Sequence, residues 1–390
     1  MITSFHYYER FVMNYLASTL QSDVIQASVE CQQAYQELVE MGAELDVMSK
    51  SLQDISQVMD FIQISGAESL IPYTSTENGR NMLASIGIEN ILENLMTVSK
   101  DEYNKQCMSA ACEGFVDKLK TFWQKIKEFI KKAIGWFKYN FIGNLEQKEA
   151  KLSNIETAVG KMSYVDTSKQ IYKAFPYKKQ TYVDCHKIID SAHNIIEDSV
   201  KSHMDAIAAM KDHKIGSKEM DAIDRSSEEF AQWVADLMCS SIGTQRIDAG
   251  SYGLSIVEDI VGSSDKYTFN DSKEEATCKD LNLTSKNDFA EAVNGVKSGV
   301  ETNKKMSTLI SRLEELGKGF EGVVNNYLNK PDNSIASDEV EKRMRKRFAV
   351  IDLGSYVNRI VQRSVCMARS TDNFIDRLIY NLNRCLVATA

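Results

Sequence analysis

The sequence predicts an all-α protein, an elongated helical bundle with coiled-coil-like helix pairs, on three observations. Only Pro72, Pro176 and Pro331 interrupt 390 residues, and proline is the residue that a helix interior tolerates least. Apolar residues recur at alternating steps of three and four over long stretches, which is the spacing of one helical face. Asn-Gly and Asp-Gly pairs, the strongest short hairpin signals, are few. At most a minor β element is expected, within 243–285, where Gly, Ser, Asp and Thr are enriched.

The elements follow in chain order. Phe5, Tyr8, Val12 and Tyr15 mark a short first helix. Cys31, Ala34, Leu38, Met41, Leu45, Met48, Leu52, Ile55, Met59 and Ile62 then form a heptad seam, the pattern of a long helix packed coiled-coil fashion. The seam stops near Ser65-Gly66, and Pro72 with Asn78-Gly79 marks a loop. A helix is expected from about Asn81 to Val98. Further helices are expected over 145–161, 181–212 and 218–240, and again along Met306, Leu309, Leu313, Leu316, Phe320, Val323 and Tyr327. A final helical pair is expected from Ser337 to Leu386, opening on the basic cluster Lys342, Arg343, Arg345, Lys346 and Arg347.

Charge divides the chain unevenly. The net charge is −9. Residues 1–113 carry sixteen acids and five bases, hence −11, so 114–390 carry the difference, +2. At the boundary, Ser109-Ala110-Ala111-Cys112-Glu113-Gly114 is small and reads as a flexible joint. After it, Phe115, Leu119, Phe122, Trp123, Ile126, Phe129, Ile130, Ala133 and Phe137 share one helical face, with Trp136 beside them. Lys118, Lys120, Lys125, Lys127, Lys131, Lys132 and Lys138 fill the remainder. With Asp117 and Glu128 as the only acids, 114–143 carries seven minus two, or +5. Such a basic amphipathic helix can pack its aromatic face into its own bundle, dock on a partner or DNA, or lie in a membrane interface. Three regions result: an acidic helical part over 1–113, the basic helix 114–143, and a helical body over 144–390.

Motifs of chemistry are sparse. Glycine-rich phosphate loops ending in Gly-Lys-Ser/Thr, the Gly-x-Ser-x-Gly elbow and His-Glu-x-x-His are absent from the sequence. Gly317, Gly319 and Gly322 spell a dinucleotide-like string, but inside a heptad seam instead of after a strand. Cys185 and His186 are neighbours in sequence only, and His186, His193 and Glu197 share a helical face without a further ligand. An enzyme centred on 181–286 is therefore the weaker expectation. Eight scattered cysteines without Cys-x-x-Cys spacing fit reduced thiols used as small core residues. No cofactor or metal is expected, no stretch is long and apolar enough to span a bilayer, and Met1–His6 lacks the character of a secretory leader.

An acidic helical part, an Ala-x-Glu tripeptide at Ala111-Cys112-Glu113 and the Lys- and aromatic-rich run from Gly114 to Trp123 together resemble internal head proteins, the prohead-core or inner-body proteins of large myovirus-type tailed phages. The resemblance covers the organisation of the first 143 residues. It implies a structural virion component made in the host cytoplasm and packaged inside the head. It also implies a prohead protease that cuts after Glu113, and partners among capsid or core proteins and packaged DNA. Similar tripeptides end at Glu40, Glu93, Glu128, Glu197, Glu258 and Glu315, most of them inside strongly periodic helices. Removing the acidic part would lessen repulsion from packed phosphates. The alternative function is membrane docking through 114–143. The helix residues expected to face a partner, DNA or membrane are Lys118, Lys120, Phe122, Trp123, Lys125, Lys127, Phe129, Lys131, Lys132 and Trp136.

Overall fold

The heptad seam folds as one helix, α1 (Thr3–Ser65), instead of the expected short helix followed by a long one. Its 63 residues span about 95 Å at 1.5 Å per residue. The structure, a computed structural model, describes residues 3–88, 99–163, 165, 179–211, 283–329 and 340–389; side chains are described on α1 from Gln33 onward. The expected helix 218–240 and the irregular segment 243–282 lie outside the described residues. Among those described, 94% are helical and none forms a strand, so the all-α reading holds.

α1 ends at Gly66, whose φ of 82° is the left-handed conformation that side-chain-bearing residues avoid. Its amide returns to the Ile62 carbonyl at 3.1 Å. A 3-10 segment (Ala67–Ser75) carries Pro72, and a short α2 (Glu77–Ala84) opens under the Thr76 side chain, which accepts from the Gly79 amide. Gly87, at φ 73°, closes this unit. Of the expected helix over Asn81–Val98, residues 81–84 are helical and 85–88 form the turn after them, and 89–98 lie outside the described residues.

Ser99 caps α3 (Lys100–Trp136), with Asp101 and Glu102 in the first turn, where the helix dipole favours acids. One wider turn, Phe137–Phe141, with its i→i+5 bond from the Ile142 amide to the Phe137 carbonyl, joins α3 to α4 (Ile142–Lys161). A short α5 (Lys179–Val183) and α6 (Cys185–Lys211) follow. α7 (Lys286–Asn303) begins with a full capping box between Ser285 and Asp288. A 3-10 turn leads into α8 (Thr308–Asn329). The last element, α9 (Val340–Thr389), is a single helix of 50 residues, not the expected pair. Gly354, its one glycine, does not break it, because the missing side chain makes room for the Phe122 and Phe320 rings.

α1 lies antiparallel on both α3 and α9, and polar rungs record the register. Lys100 pairs with Glu68 at 2.9 Å, Lys125 with Glu44 at 3.2 Å and Lys132 with Glu37 at 3.3 Å. On the other side Arg347 meets Asp60, Ser355 meets Ser49, Asn358 reaches Asp46 at 2.9 Å, and Arg369 lies 3.7 Å above the Tyr35 ring. Between these rungs sit Leu38, Leu45, Leu52, Ile55, Met59 and Ile62, all buried against the aromatic face of α3 and the apolar face of α9. α7 packs against α4, α5, α6 and α9, and α8 against α3, α6 and α9. One continuous core results.

Among the described residues, two ion pairs are buried in that core. The Arg347 guanidinium is 0% exposed and is held by Asp60, Ser56 and Gln63. Lys148, 2% exposed, reaches Asp372 at 2.7 Å and Asp376 at 2.8 Å, tying α4 to α9. Burial raises the Asp372 carboxyl above the usual carboxylate range against the pull of Lys148. Removing one partner from such a pair strands a charge and costs far more than the intact pair contributes.

Two glycines in long helices should behave oppositely. A Cβ on Gly354 would collide with the Phe122 ring, whereas one on Gly135 meets nothing within 4 Å. Gly354→Ala is expected to destabilise by about 1–3 kcal/mol through overpacking, and Gly135→Ala to stabilise by about 0.5–1 kcal/mol through helix propensity. Denaturant midpoints of the two variants check this. A further expectation concerns acid. Lys179, and then the Ser285 and Thr284 groups that donate to it, hold the Asp288 carboxyl far below the usual carboxylate range. Its folded-state affinity for a proton is lowered, so its contribution is complete above its unfolded pKa of about 4 and fades as pH falls below that. Asp288→Asn should cost about 1 kcal/mol at neutral pH and nothing at the acid end, read from paired urea titrations.

Candidate functional site

The small-residue run before Gly114 is not a joint. Residues 109–114 lie within α3, which passes unbroken through the acidic-to-basic boundary. Ala111 and Cys112 are buried, and Glu113 is exposed with its carboxylate accepting from the Ser109 hydroxyl at 3.3 Å, one turn back. A Cβ on Gly114 would press on Ile86 at 3.1 Å. The run is small because α2 and its following turn approach it closely, a demand that reads in sequence just as flexibility does. The expectation of an extended, exposed processing site at Ala111, Cys112, Glu113 and Gly114 is corrected accordingly. A protease that needs an extended strand would first have to unwind the middle of α3.

The aromatic residues expected to face a partner, DNA or membrane are also reassigned. Phe122 and Phe129 are fully enclosed, Trp123 packs edge-on to Phe320 at 5.3 Å, and Trp136 joins Tyr35, Phe137 and Phe141. They face the core because α1, α8 and α9 all converge on this side of α3. The aromatic face that α3 carries is covered in the folded chain. No helix among the described residues is long and apolar enough to cross a membrane.

The lysines of the same helix lie at its flanks, and most are engaged within the chain. Lys118 donates to Ser51 and Ser85, Lys120 to Asp117 within its own helix, Lys125 to Glu44 and Lys132 to Glu37. Lys127 meets Glu321 at 2.9 Å and sits 5.2 Å from the Trp123 ring centroid. Lys131 and Lys138 are exposed and have no acidic partner among the described residues. Exposed pairs of this kind contribute a few tenths of a kcal/mol each. Their effect is on which rung faces which.

The remaining sequence candidates resolve into packing. Cys185 is fully buried against Gly299, and burial pushes its thiol well above the ordinary range, so it is held as an unreactive thiol. His193 lies 3.4 Å from the Thr308 hydroxyl and 3.9 Å from Glu197. His186 lines a separate polar groove with Lys187, Asp190 and Lys305. Among the described residues no group of three His, Cys, Asp or Glu side chains comes together to hold a metal ion. Gly317 and Gly319 accommodate Ile130 and Ile207 from α3 and α6, each 3.1 Å from where a Cβ would stand. The glycine string is thus a helix-crossing feature on α8. Cys107 is pushed up to about 11 by burial, and its neighbour Tyr103 to about 12.

Sequence reasoning missed Arg347 and Lys148. In sequence Arg347 is one more member of the basic cluster that opens the last helix. Nothing in its own neighbourhood distinguishes it; the signal is Asp60, the single acid set among the last apolar residues of the α1 seam, between Met59 and Ile62. Lys148 likewise needs Asp372 and Asp376, a helical turn apart and 224 or more residues away in sequence.

In the folded protein a glutamate-specific endoprotease is expected to spare the Glu113-Gly114 bond and to cut it only after denaturation, with fragment masses as the measurement. Early cutting at Glu113 under native conditions would show that α3 opens there.

Compared with known proteins, the chain matches no family model, no curated protein and no solved structure.

Proposed function

We propose that the chain is a structural component of a virion interior, part of a prohead core, and acts through the form of its bundle rather than through a reaction. One observation supports the non-catalytic half of this reading: among the described residues, several charged and thiol groups that could do chemistry are engaged in helix-to-helix joints. Lys125, Lys132, Lys148 and Arg347 each bind an acid on another helix, and Cys185 is packing. The virion placement rests on the resemblance of the first 143 residues to internal head proteins. Contact with packaged DNA then falls to exposed lysines such as Lys131 and Lys138, and contact with capsid or core proteins to the outer faces of the long helices.

Processing after Glu113 enters this reading in altered form. Residues 34–62 supply part of the core that covers the α3 aromatics. A cut that released 1–113 would lay those aromatics bare, so the folded chain is carried whole and any cut precedes folding. Peptide mass spectrometry of purified DNA-filled particles is the test. Peptides from 1–113 and from 114–390 are expected at equal abundance. Absence of the chain from washed particles would overturn the virion assignment, and presence of 114–390 alone would restore processing.

A further inference from the structure

The side of α1 turned away from α3 and α9 carries a stripe of its own. Val47, Asp54 and Phe61 each follow by two residues a buried member of the inner seam, Leu45, Leu52 and Met59. Two residues turn a helix by about 200°, so these three point outward. Val47, Phe61 and Ile64 are 70%, 40% and 68% exposed. Ala43 opens the stripe, and Lys50 and Gln57 complete it, all exposed and spaced by alternating steps of four and three. Apolar residues scattered singly over a surface are ordinary; these share one line with a polar middle. We infer that this stripe is the contact between two copies of the chain, packed antiparallel about a two-fold axis at the level of Leu52.

Charge complementarity selects that occupant and that register. Centring on Leu52 sets Lys50 against Asp54 of the second copy, Val47 against Gln57, and small Ala43 against large Phe61, each contact made twice by symmetry. Within one chain neither Lys50 nor Asp54 has an ion pair or hydrogen bond among the described residues. The lysine precedes the acid by four positions, which is the less favourable order for a pair inside one helix. A parallel pairing would set Lys50 on Lys50 and Asp54 on Asp54. Slipping the antiparallel pairing by seven residues either way sets Lys50 against Phe61 or Val47. Polar residues in the middle of an otherwise apolar seam fix register and orientation in this manner.

The geometry also bounds the strength of the contact. Ala43 to Ile64 spans about 32 Å of helix, less than the usual extent of a permanent interface, so the dimer forms reversibly. Phe61 is steadied by the Tyr73 ring, 5.9 Å away, and loses little freedom on contact. The surface is independent of where the chain is housed, since it rests on α1 alone.

Sedimentation equilibrium of the intact chain over about 1–100 µM tests the inference. A reversible monomer–dimer equilibrium is expected. Lys50→Asp turns both central attractions into repulsions and should raise the dissociation constant by about tenfold or more. Asp54→Lys should do the same, and Lys50→Asp/Asp54→Lys should restore the parent value. Val47→Glu repeats the disruption without touching either charge. Thermal midpoints, measured alongside, are expected to stay unchanged, because every substituted side chain lies on the outer side of α1. A monomer across the whole range would overturn the inference. So would a dimer indifferent to Lys50→Asp and Val47→Glu, or one that the double exchange fails to restore.

Discussion

The fold depends on the fixed register of α1 between α3 and α9. Two long antiparallel helices with heptad seams can slide by seven residues at small apolar cost, since leucine replaces leucine. Sliding α1 here would strand Arg347 away from Asp60 in a dry core, a penalty of about 3–5 kcal/mol for an unpaired buried charge. The exposed lysine–glutamate rungs add little energy apiece, but a slipped α1 would break several at once. One buried pair thus makes a single arrangement of the bundle much better than its neighbours, and every surface described above inherits its geometry.

That register also explains the division of charge along the chain. Read linearly, −11 up to and including Glu113 and +5 just after it suggest two parts meant to separate. In the fold the acidic helix lies beside the basic one, with Glu37 and Glu44 against Lys132 and Lys125. The asymmetry is what an antiparallel acid–base helix pair looks like when written out in one dimension. It is a folding device first, and any activity of the folded chain must work with the two parts joined.

Helical character, the α1 seam, the Met306–Tyr327 seam and the one-sided aromatic pattern of 115–137 were legible because periodicity is local and survives in one dimension. The candidate site was far less so. The aromatic face looks alike whether it meets lipid, a partner or its own bundle, since hydropathy records that a face wants cover and is silent on what covers it. Ala111 and Gly114 show the same ambiguity for small residues, which serve flexible joints and close helix crossings equally well. The last helical segment was expected as a pair, yet α9 runs on through Gly354, where Phe122, far away in sequence, takes up the space that the missing side chain leaves. Buried Arg347 was unreadable because its meaning lies in Asp60.

The single wide turn at Phe137–Phe141 has a consequence of its own. A turn of this kind holds one residue more than a regular helical turn, taken up without breaking the helix. Each residue turns the helix by about 100°, so this extra one resets the phase of everything that follows. With it, a single rod presents lysines to α1 over one half and Lys148 to Asp372 and Asp376 over the other. Without it, α4 would rotate by roughly a quarter turn, aiming Lys148 away from both carboxylates and Leu152 out of the core. The turn acts as a vernier between two packing frames, and through it a single residue becomes indispensable to the fold.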